Sequence, residues 1–174
     1  MAITIVATVG SASANSFVTL AEAEVYMLGR GNKALWTAAT DAAKDIALAE
    51  ATQELTVRSW SGARTDDTQI LSWPRQWAND PDNPAQSYFD NDIVPTRIKN
   101  ATCELAFQFL KAGTTDVAAI DSKTNVKSKQ IDVLRTEWFS PQHTPQGLAR
   151  YPRVLAYIQP LLESSGMTTR LVRG

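Results

Sequence analysis

The chain has 174 residues, which suits one domain with its own hydrophobic core and is marginal for two. Its composition, 44% apolar and 20% charged, excludes an intrinsically disordered chain. The net charge of −1 lacks the basic excess of a strong, sequence-independent phosphate binder, and the single cysteine, Cys103, cannot form an internal disulfide.

The elements follow from the pattern in chain order. Ile3 to Val9 is β-branched and alternating, and predicts a short strand ending at Gly10. Met1 to Gly10 is short and lacks a leading Lys or Arg, so it is expected to be neither a signal peptide nor a membrane span. Thr19 and Glu22 have capping-box spacing and open a helix that runs to about Gly29, with Arg30-Gly31-Asn32 as its stop. A second helix starts near Thr40-Asp41 and reaches about Ser59. Leu48, Ala51 and Leu55 share one of its faces, and Ala42, Ile46, Ala49 and Val57 lie roughly opposite, the pattern of a helix between two neighbours. The second neighbour could belong to this chain or to another subunit.

Trp60 to Asn91 is irregular, with a brief strand expected at Gln69–Trp73, halted by Pro74, and an exposed loop at Asp80–Asn91. Pro95 suits the first position of a third helix, which buries Ile98, Ala101, Thr102, Leu105 and Phe109 and ends at Gly113. Phe107 falls on the polar face of that helix, and an exposed aromatic there would be a contact surface. Val126 to Phe139 is expected to be extended, as a hairpin or projecting arm, with Ile131, Val133, Trp138 and Phe139 as further contact candidates. Pro152 opens a last short helix carrying Val154, Tyr157, Ile158 and Leu161 on one face, bent or ended at Pro160. The reading is a single, mainly α domain over 1–163, a compact bundle of about four helices with a small β-hairpin or arm at 114–146, and a flexible tail at 164–174.

No catalytic, cofactor or metal constellation emerges, and an enzyme is not expected. His143 stands alone in a Pro/Gln/Gly loop, and Cys103 lies mid-helix with no neighbour to make a thiolate. Asp80-Pro81-Asp82-Asn83 begins like a calcium loop but lacks the central Gly and the closing Glu. The one constellation with chemistry is Trp60, Arg64, Trp73, Arg75 and Trp77 (with Arg58), cations interleaved with aromatics as in single-stranded-DNA platforms. The competing reading places these tryptophans in the core, with the arginines stacked on them or paired to Asp66 and Asp67.

The chain as a whole resembles a family of tailed-phage head-tail connector proteins, also called head completion or adaptor proteins. Some members carry the label DnaT-like single-stranded-DNA-binding protein. The resemblance runs through Asn15-Ser16-Phe17-Val18-Thr19, Ala21-Glu22-Ala23, Arg30-Gly31-Asn32 and Trp36. It continues at Leu71-Ser72-Trp73-Pro74-Arg75, Val94-Pro95, Ile98 to Ala106 and Tyr151-Pro152, and loosens over 77–92 and 114–146. It implies a helical core with a small β element and a homo-oligomeric ring, of twelve copies, docked on a portal protein. Such a ring extends a channel through which double-stranded DNA passes without specific binding, and offers a surface to tail or nozzle proteins at the head-tail interface of the virion. It implies no catalytic residue and no cofactor. Binding of single-stranded DNA through Trp60, Arg64, Trp73, Arg75 and Trp77 is the alternative.

Overall fold

The structure, a computed structural model, describes residues 3–31, 33–83, 85–113, 128–131, 134–137 and 146–163. It is mostly helical with a small two-stranded antiparallel hairpin. Among the described residues no helix is long and apolar enough to cross a membrane.

Helix α1 (Leu20–Leu28) is opened by Thr19, whose hydroxyl accepts from the Glu22 N–H while the Glu22 carboxylate accepts from the Thr19 N–H at 2.8 Å. A short helix, α2 (Ala34–Ala38), buries Trp36 and was not foreseen. Five residues hold too little periodicity to be read from sequence. Helix α3 (Asp41–Thr56) is capped by the Thr40 hydroxyl, which accepts from the Ala43 N–H. Its Leu48, Ala51 and Leu55 are buried, as is Ala49, whereas Ala42, Ile46 and Val57 are exposed. The expected second neighbour is therefore missing along part of that face among the described residues.

Helix α4 (Thr96–Ala112) is the centre of the bundle and packs against α1, α2, α3 and α5 (Pro152–Ile158). Its ends follow the sequence closely. Pro95 is the residue just before the helix rather than its first, and Gly113 closes it with a left-handed φ of 67° and an N–H donated to the Phe109 and Leu110 carbonyls. Pro152 starts α5, and a 3-10 turn over Gln159–Leu161 bends the chain at Pro160. After this turn Leu162 bridges to Trp60, and the Ser61 N–H donates to the Leu161 carbonyl at 3.0 Å.

Three expectations need correction. Ile3–Val9 is not a strand, because it has no partner strand among the described residues. Asn15 takes that role: its side chain accepts from the Val6 N–H at 2.7 Å and donates to the Thr4 carbonyl at 2.9 Å. Gln69–Trp73 is not a strand either. The ladder is β1 (Ala63–Arg64) antiparallel to β2 (Arg75–Gln76), and Gln69 curls the segment between them. The buried Gln69 amide donates to the carbonyls of Leu71 at 2.8 Å and Pro74 at 3.0 Å. Phe107 is 4% exposed, because α4 has neighbours on nearly every side. The hairpin expected within Val126–Phe139 is present as β3 (Ser128–Ile131) and β4 (Leu134–Glu137), with Ile131 opposite Leu134.

The least expected feature of the core is a charge. Glu104 lies mid-α4, 1% exposed. Arg30 donates to its Oε1 at 3.1 Å and pairs with its Oε2 at 2.7 Å. The Tyr26 hydroxyl donates to Oε1 at 2.7 Å, and Arg153 does so at 3.2 Å. The Arg30 guanidinium also lies over the Phe107 ring, 4.5 Å from its centroid. A buried carboxylate is tolerated when its charge is met, and two arginines meet it here; Oε1 accepts three hydrogen bonds, while Oε2 has the Arg30 ion pair but no hydrogen bond. Removing it strands Arg30 over an aromatic core. Glu104→Ala is expected to cost about 3–5 kcal/mol in urea unfolding, and Thr19→Ala about 1 kcal/mol.

Candidate functional site

The Trp/Arg constellation is assembled between the end of α3 and the β1–β2 ladder, and most of it faces inward. Trp73 is 1% exposed and Trp60 3%. The two rings meet edge to face at 5.8 Å, and Trp73 meets Phe89 likewise at 5.9 Å. The Trp60 indole N–H donates to the Leu55 carbonyl at 3.0 Å, tying the loop to α3.

Arg75 is equally committed. Its guanidinium donates to the backbone carbonyls of Ser61 (2.7 Å), Ser72 (3.2 Å), Trp60 (3.2 Å) and Gly62 (2.5 Å). Burial lowers its pKa from the usual arginine range, and Arg64 alongside adds to this. The expected pairing of these arginines with Asp66 and Asp67 is corrected here. Arg75 takes carbonyls, and Asp66 accepts from the Thr68 N–H and hydroxyl. The backbone strand that Arg75 laces together is tight. A Cβ on Gly62, which has a φ of 73°, would lie 2.4 Å from the Gln76 carbonyl oxygen.

Of the five candidate residues, Arg64 and Trp77 remain at the surface. Arg64 is opposite Arg75 in the ladder and reaches the Gln69 carbonyl at 3.5 Å. Trp77 is 63% exposed and sits at a φ of 57°, a left-handed conformation that costs energy for a bulky residue. Tyr88, half exposed, is clipped near it by a bridge to Asn79, and sequence reasoning had not singled it out. The charge around them is acidic. Residues 60–95 hold two cations, Arg64 and Arg75, against six aspartates, 66, 67, 80, 82, 90 and 92, for a net of −4. Asp82 is engaged by Arg97, which donates to both carboxylate oxygens at 2.5 Å and holds its pKa below the usual carboxylate range. Among the described residues no cluster of His, Cys, Asp or Glu could hold a metal.

The partner-surface candidates divide differently. Phe107 is consumed by the core, and Ile131 lies on β3. Val133, Trp138 and Phe139 fall outside the described residues, as does His143. Exposed apolar side chains stand instead on α1 (Val25 and Leu28) and on α3 (Ile46), with Val57 just beyond its end. Cys103 is buried, and burial pushes its thiol up to about 12, with Glu104 and Glu22 adding to it.

A second polar feature lies where α4 meets the end of α1 and the start of α5. A cleft of about 180 Å³ is lined by Arg30, Glu104, Gln108, Arg150, Tyr151 and Arg153. It escaped sequence reasoning although a signal existed: Glu104 is the single charge between Lys99 and Lys111 in an otherwise uncharged run.

Comparison with known proteins places these features in context. The model of a family described as "Putative DnaT-like ssDNA binding protein" matches residues 1–174. No curated protein and no solved structure matches the chain.

Trp73→Ala is expected to lower unfolding free energy by about 3–5 kcal/mol, whereas Trp77→Ala should change it by under about 0.5 kcal/mol. Chemical denaturation of both variants measures the contrast. Cys103 should resist a thiol-reactive dye in the folded protein and react once the chain is unfolded.

Proposed function

We propose that this chain, which belongs to the DnaT-like family, works by protein–protein contact as a structural adaptor, in a ring of identical copies of the head-tail connector kind. The observation that carries this reading is the fate of the Trp/Arg set. A stacking platform needs open aromatic faces and a cationic track. Here Trp60 and Trp73 are core, Arg75 is committed to four backbone carbonyls, and the segment that carries them is acidic. A channel through which DNA must slide also works best without a strong grip on phosphates, and the net charge of −1 suits that role. A ring repeats one heterologous interface, so each copy needs two different contact surfaces. The exposed apolar side chains on α1 and α3 and the surface around Trp77 are separate places for them. On this reading the partners are further copies of the chain, twelve in the closed ring, a portal protein and a tail protein, and the ring belongs to the virion.

Binding of single-stranded DNA is the second reading, and the family's description favours it. Its footprint is smaller than the sequence suggested: Trp77 and Tyr88 as stacking faces, with Arg64 as the nearest surface cation.

The two readings separate in one pair of measurements. Mixing with purified portal should give rings in electron micrographs, while a labelled oligothymidine should bind weakly and with a shallow salt dependence. Tight oligothymidine binding that falls steeply with salt and is lost in Trp77→Ala, with no rings on portal, would establish the second reading instead.

A further inference from the structure

We infer that the arginine-lined cleft is a carboxylate-recognition site and that its occupant is the acidic surface around Trp77 on a second copy of this chain. The inference rests on the ring reading above and gives its interface a chemistry.

The cleft is built rather than incidental. Its floor is Glu104, 1% exposed, which fixes Arg30 from one side and Arg153 from the other. Arg30 is further held by its stacking on Phe107. Arg153 touches Glu104 through Nη1 while its side chain is 64% exposed, so most of its planar donor fork faces outward at the mouth. A guanidinium oriented from behind by a buried carboxylate has less freedom left to lose on binding, and it matches a planar carboxylate in bidentate geometry. The site is compact and its floor is anionic, which suits one or two single carboxylates. A nucleic-acid backbone needs a continuous cationic track.

The complementary surface is present on the same chain. Asp80, Asp90 and Asp92 share with the exposed Trp77 and Tyr88 a segment, 60–95, whose net charge is −4. Trp77 adds an aromatic anchor held outward at a left-handed φ, the kind of residue that dominates interface energetics. This surface does not fold back into its own cleft. Arg97 clamps Asp82 at the start of α4, and Glu104 is seven residues further along, roughly 10 Å of helix rise away. An acidic donor surface and a basic acceptor cleft on one chain form a heterologous, head-to-tail contact, which closes into rings.

Charge exchange tests this in the full chain. Arg153→Glu and the double variant Asp90→Lys/Asp92→Lys should each lower self-association by roughly tenfold or more, since each sets like charges face to face. Mixed together, the two should pair, with sedimentation velocity showing a one-to-one complex absent from either alone. Arg153→Gln, which removes charge without reversing it, should fall between, and thermal melts of every variant separate misfolding from lost contact. Wild-type chain that stays monomeric both alone and on portal, or variants that associate like wild type, would overturn the inference. Oligothymidine binding abolished by Arg153→Glu would also overturn it, making the cleft a phosphate site. Rings on portal that survive Arg153→Glu would sink the inference and leave the adaptor reading standing. Charge-exchange pairing without rings on portal would do the reverse.

Discussion

The ion pair between Arg30 and Glu104 governs how the helices are arranged. A carboxylate inside α4 is expensive to desolvate, and its charge must be met where it lies. Tyr26 is on α1, Arg30 just follows it and Arg153 is on α5, so meeting the charge brings two distant segments to one point of the central helix. Apolar packing alone would let α1 and α5 slide along α4 with little change in buried area. A buried acid with defined partners allows one register. The Tyr26 phenol is held neutral, its pKa raised by burial and by the Tyr157 hydroxyl and Glu104 beside it, and so keeps donating.

The same economy of polar groups shapes the loop after α3. Backbone carbonyls at a tight turn must find donors once they leave water. Arg75 and Gln69 supply those donors, which lets Trp60 and Trp73 close over the end of the bundle. The residues that make the sequence look like a nucleic-acid platform are thereby committed to architecture. What reaches solvent is the remainder, Trp77 and Tyr88 amid aspartates.

The long helices were legible because their signals are local. The Thr19–Glu22 capping box, the Thr40 cap, Gly113 and Pro152 each mark an end through chemistry within a few residues. The core stripe of α4 was legible for the same reason, since Ile98, Ala101, Leu105 and Phe109 repeat with the helical period. Periodicity failed at Phe107 and Glu104. It presumes one dry face, and α4 is surrounded. It failed also at Ile3–Val9 and Gln69–Trp73, where Asn15 and Gln69 side chains replace the ladder that a strand pattern implies. The Trp/Arg constellation was found as a set of residues, but whether a tryptophan points in or out depends on contacts such as Trp73 with Phe89 that bridge sixteen positions.

The Arg153–Glu104 bond has a consequence for how the protein emerges from the ribosome. The acid is synthesised 49 residues before that cation. At about 5–20 residues per second, the interval is on the order of a few seconds. Until then Arg30 and Tyr26 are the only members of the acid's partner set that have been made, and α5 does not yet exist to cover that flank. The nascent bundle therefore finishes from its C-terminal end, and the cleft mouth is the last of its polar features to take shape. A chain released early, short of α5, would expose that flank to its neighbours on the polysome instead of presenting an oriented arginine to them.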